Sequence, residues 1–162
     1  MTFVKVNGAY GRVVQKVAGS PGFARVGPKV VPPVDRLLHR LTGGRVLLSR
    51  ALLPGLVLTT TGRRSGQART TPLMRVPEPE GTWVVVGSNF GQTHHPAWTG
   101  NLLATPEATI SYDHRDVAVI AEMLEGEARD TAWGRARALW PAFDRYAERT
   151  DRTIRVFRLH PT

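Results

Sequence analysis

The chain has 162 residues, enough for one domain with a real core, and its 41% hydrophobic and 22% charged content is that of an ordinary soluble globular protein. It contains no cysteine, which excludes disulfides, thiolate metal sites and cysteine nucleophiles. The net charge of +9 is uneven, because residues 1–50 hold nine basic side chains against Asp35 alone and the remainder is nearly neutral. A basic arm on a neutral body argues against a nucleic-acid domain, which spreads its charge over a folded face. It suits a solvated arm, an anionic membrane surface or an anionic ligand.

Residues 1–33 are punctuated by glycine and proline from Gly8 to Pro33, which predicts an extended arm and no packed element. The arm has no apolar run able to serve as the core of a signal peptide. The stretch from Val46 to Leu58 is broken by Ser49, Arg50, Pro54 and Gly55 and is too short to span a bilayer. A soluble, cytoplasmic protein with one folded domain over residues 34–162 is therefore expected. Val34, Leu37, Leu38 and Leu41 fall at helical spacing, and Thr42-Gly43-Gly44 stops that helix.

Beyond Pro54-Gly55 the pattern becomes β-branched and short. LVLTTT reads as a strand, Gly62 to Gln67 as a turn, and Arg69 to Val76 as the returning strand. A second turn at Pro77 to Gly81 leads into the apolar strand Thr82 to Ser88. Pro96 opens a short helix over PAWTGNLLAT, since proline suits a first helical turn. Strands over Ala108–Tyr112 and Val117–Met123 follow, then a helical region from Glu127 to Arg149 with a kink at Pro141, then a last strand TIRVFRLH. About six short strands joined mostly by hairpins, with helices inserted late, predict a mainly β (α+β) fold: a small antiparallel barrel covered by helices.

Four segments can carry chemistry. In Thr59 to Gln67 a strand enters a glycine turn bearing Arg63, Arg64 and Ser65, which is either an anion cradle or an exposed basic hairpin tip. It lacks the spacing of a Walker loop and leads to a strand. Arg69-Thr70-Thr71-Pro72-Leu73-Met74 reads as an edge strand, because proline removes a ladder donor. Gly87-Ser88-Asn89 through His94-His95-Pro96-Ala97-Trp98 to Asn101 offers paired histidines, but neighbours in sequence rarely converge on one ion, so no metal site is expected. Trp140, Phe143 and Tyr146 repeat at helical spacing, as core packing or as the wall of an apolar pocket. No Ser-His-Asp arrangement or catalytic carboxylate pair is legible, which suits an enzyme whose cofactor does the chemistry.

Three blocks, LTTTGRRSGQARTTPLM, WVVVGSNFGQTHHPAWTGNLLATP and DRTIRVFRL, resemble in sequence and order the deazaflavin (F420)-dependent nitroreductase family. The resemblance runs from Val34 to Pro161. It implies a split β-barrel of the FMN-binding type, usually dimeric, that takes a hydride from reduced coenzyme F420 to an activated alkene, quinone or nitro acceptor. It also implies that Arg63, Arg64 and Ser65 hold the cofactor's phosphate and polyglutamate side and that Arg69, Thr70, Thr71, Pro72, Leu73 and Met74 line the deazaflavin. Val86, Gly87, Ser88 and Asn89 would approach the ring, and Ala97, Trp98, Thr99, Gly100 and Asn101 would close the groove. Ser88 is then the residue nearest the reacting ring. The family's nitro-reducing members carry tyrosines on the substrate helix where this chain has Trp140, Phe143 and Tyr146, leaving Tyr146 as the candidate proton donor. Two rivals stand beside this expectation: the same barrel binding FMN, and a non-catalytic protein that stores F420.

Overall fold

The computed structural model describes residues 55–162 other than His114, together with Val30, Pro33, Val34 and Leu37. Those four are helical, so helical backbone starts before Val34; the rest of the expected arm and of the Val34–Leu41 helix lies outside the described residues.

Seven strands follow: β1 (Gly55–Thr61), β2 (Ala68–Met74), β3 (Val76–Pro77), β4 (Trp83–Val86), β5 (Glu107–Tyr112), β6 (Arg115–Met123) and β7 (Val156–Pro161). Three helices interrupt them: α1 (Ala97–Ala104), α2 (Gly126–Leu139) and α3 (Ala142–Ala147). The strands make one sheet in the order β2-β1-β5-β6-β7-β4-β3, every pair antiparallel. The sheet curls until β2 meets β4, giving the split-barrel form expected from the sequence. Pro72 lies on β2, at the edge of the sheet, where a missing amide donor costs no ladder bond on the open side. The single returning strand expected over Arg69–Val76 is two strands, broken at Arg75.

The apolar run in β4 follows from burial on both faces. Trp83 and Val85 face the barrel interior with Leu56, Leu58, Trp98, Leu102, Ile110, Val119, Phe157 and Leu159. Val84 and Val86 face outward onto Leu124, Ala132, Ala136, Trp140, Phe143, Tyr146 and Ile154, so α2 and α3 form a second core on the back of the sheet. Each fully buried valine here contributes about 1.5 kcal/mol or more of apolar transfer. The kink expected at Pro141 is the break between α2 and α3, with Trp140 (φ −138°, ψ 85°) out of helical backbone before the proline.

Glu78 clamps the back layer. Its side chain, 3% exposed, accepts from Arg158 Nε of β7 and Arg135 Nη1 of α2, both at 2.6 Å. Burial pushes this carboxyl up, but the hydrogen bonds and charges of Arg158 and Arg135 outweigh that and hold it below the usual value.

Candidate active site

The turn after β1 is tight because of two glycines. Gly66 has φ +65° and its amide closes on the Gly62 carbonyl at 2.7 Å. A Cβ on Gly62 would lie 2.8 Å from Ser65 Oγ. Ser65 Oγ in turn accepts from the Gln67 amide and from Arg69 Nη2, each at 3.4 Å. Arg63, Arg64, Ser65, Arg69 and Thr70 are all exposed. Neither Arg63 nor Arg64 has a carboxylate partner among the described residues, whereas Arg75, Arg129, Arg135, Arg137 and Arg158 each have one. An arginine pair and a hydroxyl with no acid to neutralise them form a donor set for an anion.

Helix α1 joins this turn to the end of β4. The Asn101 amide donates to Thr60 Oγ1 at 3.0 Å, and its carbonyl oxygen accepts the Arg63 backbone N–H at 3.2 Å. The Arg63 guanidinium lies against the helix where residue 100 has no side chain, since a Cβ on Gly100 would overlap its Nη1. On the other flank, a Cβ on Gly87 would approach Thr99 Cγ2 to 2.7 Å, so α1 seats directly on the backbone leaving β4. Trp98, Thr99, Gly100 and Asn101 are buried, and only Ala97 of that group is exposed. The helix thus braces the turn from inside: Trp98 fills the barrel core and Asn101 spends its amide on holding the turn.

The segment from Gly87 to His95 connects β4 to α1. Ser88 and Asn89 are half-buried, and Val86 and Gly87 are buried. Asn89 and Phe90 have φ of +47° and +55°, left-handed conformations in non-glycine residues. Such residues cost about 1–3 kcal/mol each and persist only where the surroundings over-determine them, often beside a functional site. Asn89 Nδ2 donates to the His94 carbonyl at 3.1 Å, and Phe90 stacks edge-on against Tyr146 with centroids 5.8 Å apart. Thr71, Pro72, Leu73 and Met74 lie half-buried along β2, the strand that packs across to β4.

The aromatic row lies in the back core: Trp140, Phe143 and Tyr146 are 4%, 5% and 2% exposed. Burial pushes the Tyr146 phenol up, so it keeps its proton at neutral pH. The row meets the segment that follows Ser88 through the Phe90 ring and through the close approach of Gly91 to the Tyr146 backbone. His95 also leaves the histidine pair: its Nδ1 faces Arg152, and among the described residues no three of His, Asp and Glu converge.

Sequence reasoning missed Arg152. Its guanidinium donates from Nε to the Gln92 carbonyl at 2.9 Å, from Nη1 to the Gly87 carbonyl at 3.2 Å and from Nη2 to the Ser88 carbonyl at 2.6 Å. Nη1 also stands 3.2 Å from His95 Nδ1. These acceptors lie 57 to 65 residues away along the chain and are mostly backbone, so no side-chain pairing rule announces them.

A small split barrel with an acid-free arginine turn beside a strained loop is the frame of a cofactor-binding oxidoreductase. The family model described as F420H(2)-dependent quinone reductase matches residues 35–161. The F420H(2)-dependent quinone reductase Rv1261c of Mycobacterium tuberculosis is 29% identical over 129 residues, covering 75% of this chain and 77% of that protein. The solved structure of the F420-H2 dependent reductase FDR-A is 37% identical with a TM-score of 0.61, covering 66% of this chain and 94% of that one. A structure described as a domain-swapped dimer is 35% identical with a TM-score of 0.64, covering 80% and 95%. The chain belongs to the F420H(2)-dependent quinone reductase family. It is an F420H2-dependent oxidoreductase, and coenzyme F420 is its cofactor. The donor set fits: Arg63 and Arg64, without an acid partner among the described residues, and Ser65 suit the anionic phosphate and polyglutamate side of that molecule.

Proposed function

We propose that this protein reduces quinones, and by the same site other electron-poor acceptors such as enones and nitro compounds, at a groove between β2 and the Gly87–Asn89 segment. The observation that carries the reading is the Arg63-Arg64-Ser65 turn, free of acids and locked by Asn101 to the helix that also seats Gly87. Reduced F420 supplies the hydride when bound. Arg63 and Arg64 bind its anionic side as charge-assisted donors, and Ser65 adds a hydroxyl. Thr71 to Met74 offer a half-buried edge for its planar ring. Ser88, half-buried at the mouth of the strained loop, orients the reacting end. Tyr146 supports that loop from below through Phe90, and its buried phenol holds its proton.

Fluorescence titration with F420, with FMN in parallel, tests the cofactor site. Tight binding of F420 and none of FMN is expected. Reoxidation of F420H2 by menadione, an enone and a nitroarene then ranks the acceptors, with menadione expected to be fastest. Binding without turnover of any of the three would favour a storage role. Turnover by Tyr146→Phe equal to that of the parent assigns Tyr146 to packing; loss of turnover with the fold intact assigns it to proton donation.

Three further readings concern assembly and location. A homodimer is inferred from the likeness to the domain-swapped dimer, and light scattering on the full chain tests it. Action in the cytoplasm, with the basic segment 1–50 against an anionic membrane surface, rests on charge. Sedimentation with anionic vesicles, with and without residues 1–33, tests the membrane contact, and equal recovery in the pellet would count against it.

A further inference from the structure

We infer that Arg152 is the positioning residue of the reductase site, setting the place of Ser88 by clamping both ends of the Gly87–His95 loop. The inference rests on the assignment of Ser88 to the site. Four of the five N–H donors of Arg152 point at this one loop: at the carbonyls of Gly87 and Ser88 where it begins, and at the Gln92 carbonyl and His95 Nδ1 where it ends. No carboxylate pairs with Arg152 among the described residues, so its charge is satisfied by loop backbone and imidazole.

The clamp has something to hold. Inside it, Asn89 and Phe90 are both left-handed, a conformation that a free loop would abandon. Gly91, at φ +76°, carries the chain so close to α3 that a Cβ there would meet the Tyr146 carbonyl oxygen at 2.6 Å. The loop is therefore pressed on α3 on one side and drawn to Arg152 on the other, and Ser88 sits where the two constraints meet. A planar fork is needed for this. A lysine ammonium can reach one or two of these acceptors but cannot span both ends of the loop.

His95 makes the clamp sensitive to protonation. A guanidinium only donates, so Nδ1 accepts and the neutral imidazole carries its proton on Nε2. The charged groups around the ring are Arg152 and Arg155, with Glu125 and Arg129 lining the cavity that His95 also borders.

Arg152 also strengthens its surroundings electrostatically. Hydrogen bonds to the carbonyls of Gly87 and Ser88 polarise the peptides that follow, making the Ser88 and Asn89 amides better donors. Among the described residues neither amide has a backbone partner of its own.

A double-mutant cycle tests the role: Ser88→Ala, Arg152→Lys and the pair, assayed with F420H2 and menadione, with F420 affinity and Tm measured beside turnover. Displacement of a reacting geometry by an ångström costs about 100-fold, so each single change is expected to lower kcat by about 10- to 100-fold. The double variant should be no worse than about threefold below the slower single, because both act through the same loop. Arg152→Lys should leave the F420 Kd within about threefold, since the arginine turn is untouched. Multiplicative losses, or a folded Arg152→Lys enzyme with full kcat, would overturn the role of Arg152. Full turnover by Ser88→Ala would instead overturn the site assignment beneath it.

Discussion

The arginines of the Gly62–Gln67 turn and those around Glu78 are the same side chain in opposite circumstances. Arg135 and Arg158 converge at 2.6 Å on a carboxylate that is 3% exposed, and together they tie α2 to β7. Arg63 and Arg64 are exposed, with no acid in reach among the described residues. The first pair is neutralised within the fold and stabilises it. The second leaves its charge for something that arrives from outside. Positive charge on a surface is thus uninformative by count, and becomes informative once each guanidinium is asked what it already holds.

The comparison can be broken in four ways. Replacing both Arg63 and Arg64 by alanine should raise the F420 Kd about 100-fold, because charge-assisted hydrogen bonds are worth about 1.5–3 kcal/mol each. Tm should stay within about 2 °C, since exposed side chains with no partner contribute little to stability. Titration and thermal melts of the same sample check both halves of that statement. Glu78→Gln should do the reverse, removing about 2 kcal/mol of stability and lowering Tm by about 4–8 °C while F420 affinity holds. The loss falls below the about 3–5 kcal/mol of a fully buried pair because both arginines retain contact with water.

Gly100→Ala sharpens the contrast at a single methyl. The added Cβ occupies the place of the Arg63 guanidinium, a flexible side-chain end that can swing aside. The expected result is a rise of about 3- to 10-fold in F420 Kd with Tm little changed, the cost of moving one charged donor. An unchanged Kd would show that Arg63 does not bind from its position over the helix.

The smallest effect is in pH. Burial, then Arg155, then Arg152, hold the His95 imidazole below its ordinary value. As pH falls below about 6.5 the unfolded chain takes up this proton first, so stability declines until the lowered folded value is passed and then levels off. Glu78 contributes its stability above the ordinary carboxylate value and loses it only as pH falls through its own, lower one, so its loss begins at a lower pH than that of His95. The difference in Tm between parent and His95→Gln, measured at about pH 7.5 and about pH 5.5, should change by the equivalent of less than about 1 kcal/mol.

Much of the fold was legible. Strand boundaries fell within a few residues because glycine and proline mark both ends of most elements, and Pro72 and Pro141 located an edge and a helix break. The arginine turn was also legible, since its residues are contiguous and the glycines that shape it lie beside them. What failed to show was distributed. The residues of α1 read as groove lining, yet Trp98, Thr99 and Asn101 turn inward, because helical phase alone does not say which neighbour a face will meet. The aromatic row read equally as pocket or core, and burial against β4 places it in the core. Arg152 was invisible, because its partners are carbonyl groups, which every residue has.

By itself the sequence determined the class of the protein: short β-branched strands, punctuating turns, a contiguous Arg63-Arg64-Ser65 turn and three blocks in the family's order are all local patterns. Only the tertiary structure decided which arginines are spent on the fold, which on a loop and which on nothing. That division depends on which side chains and carbonyls the curled sheet brings within 3 Å of one another, and spacing along the chain does not encode it.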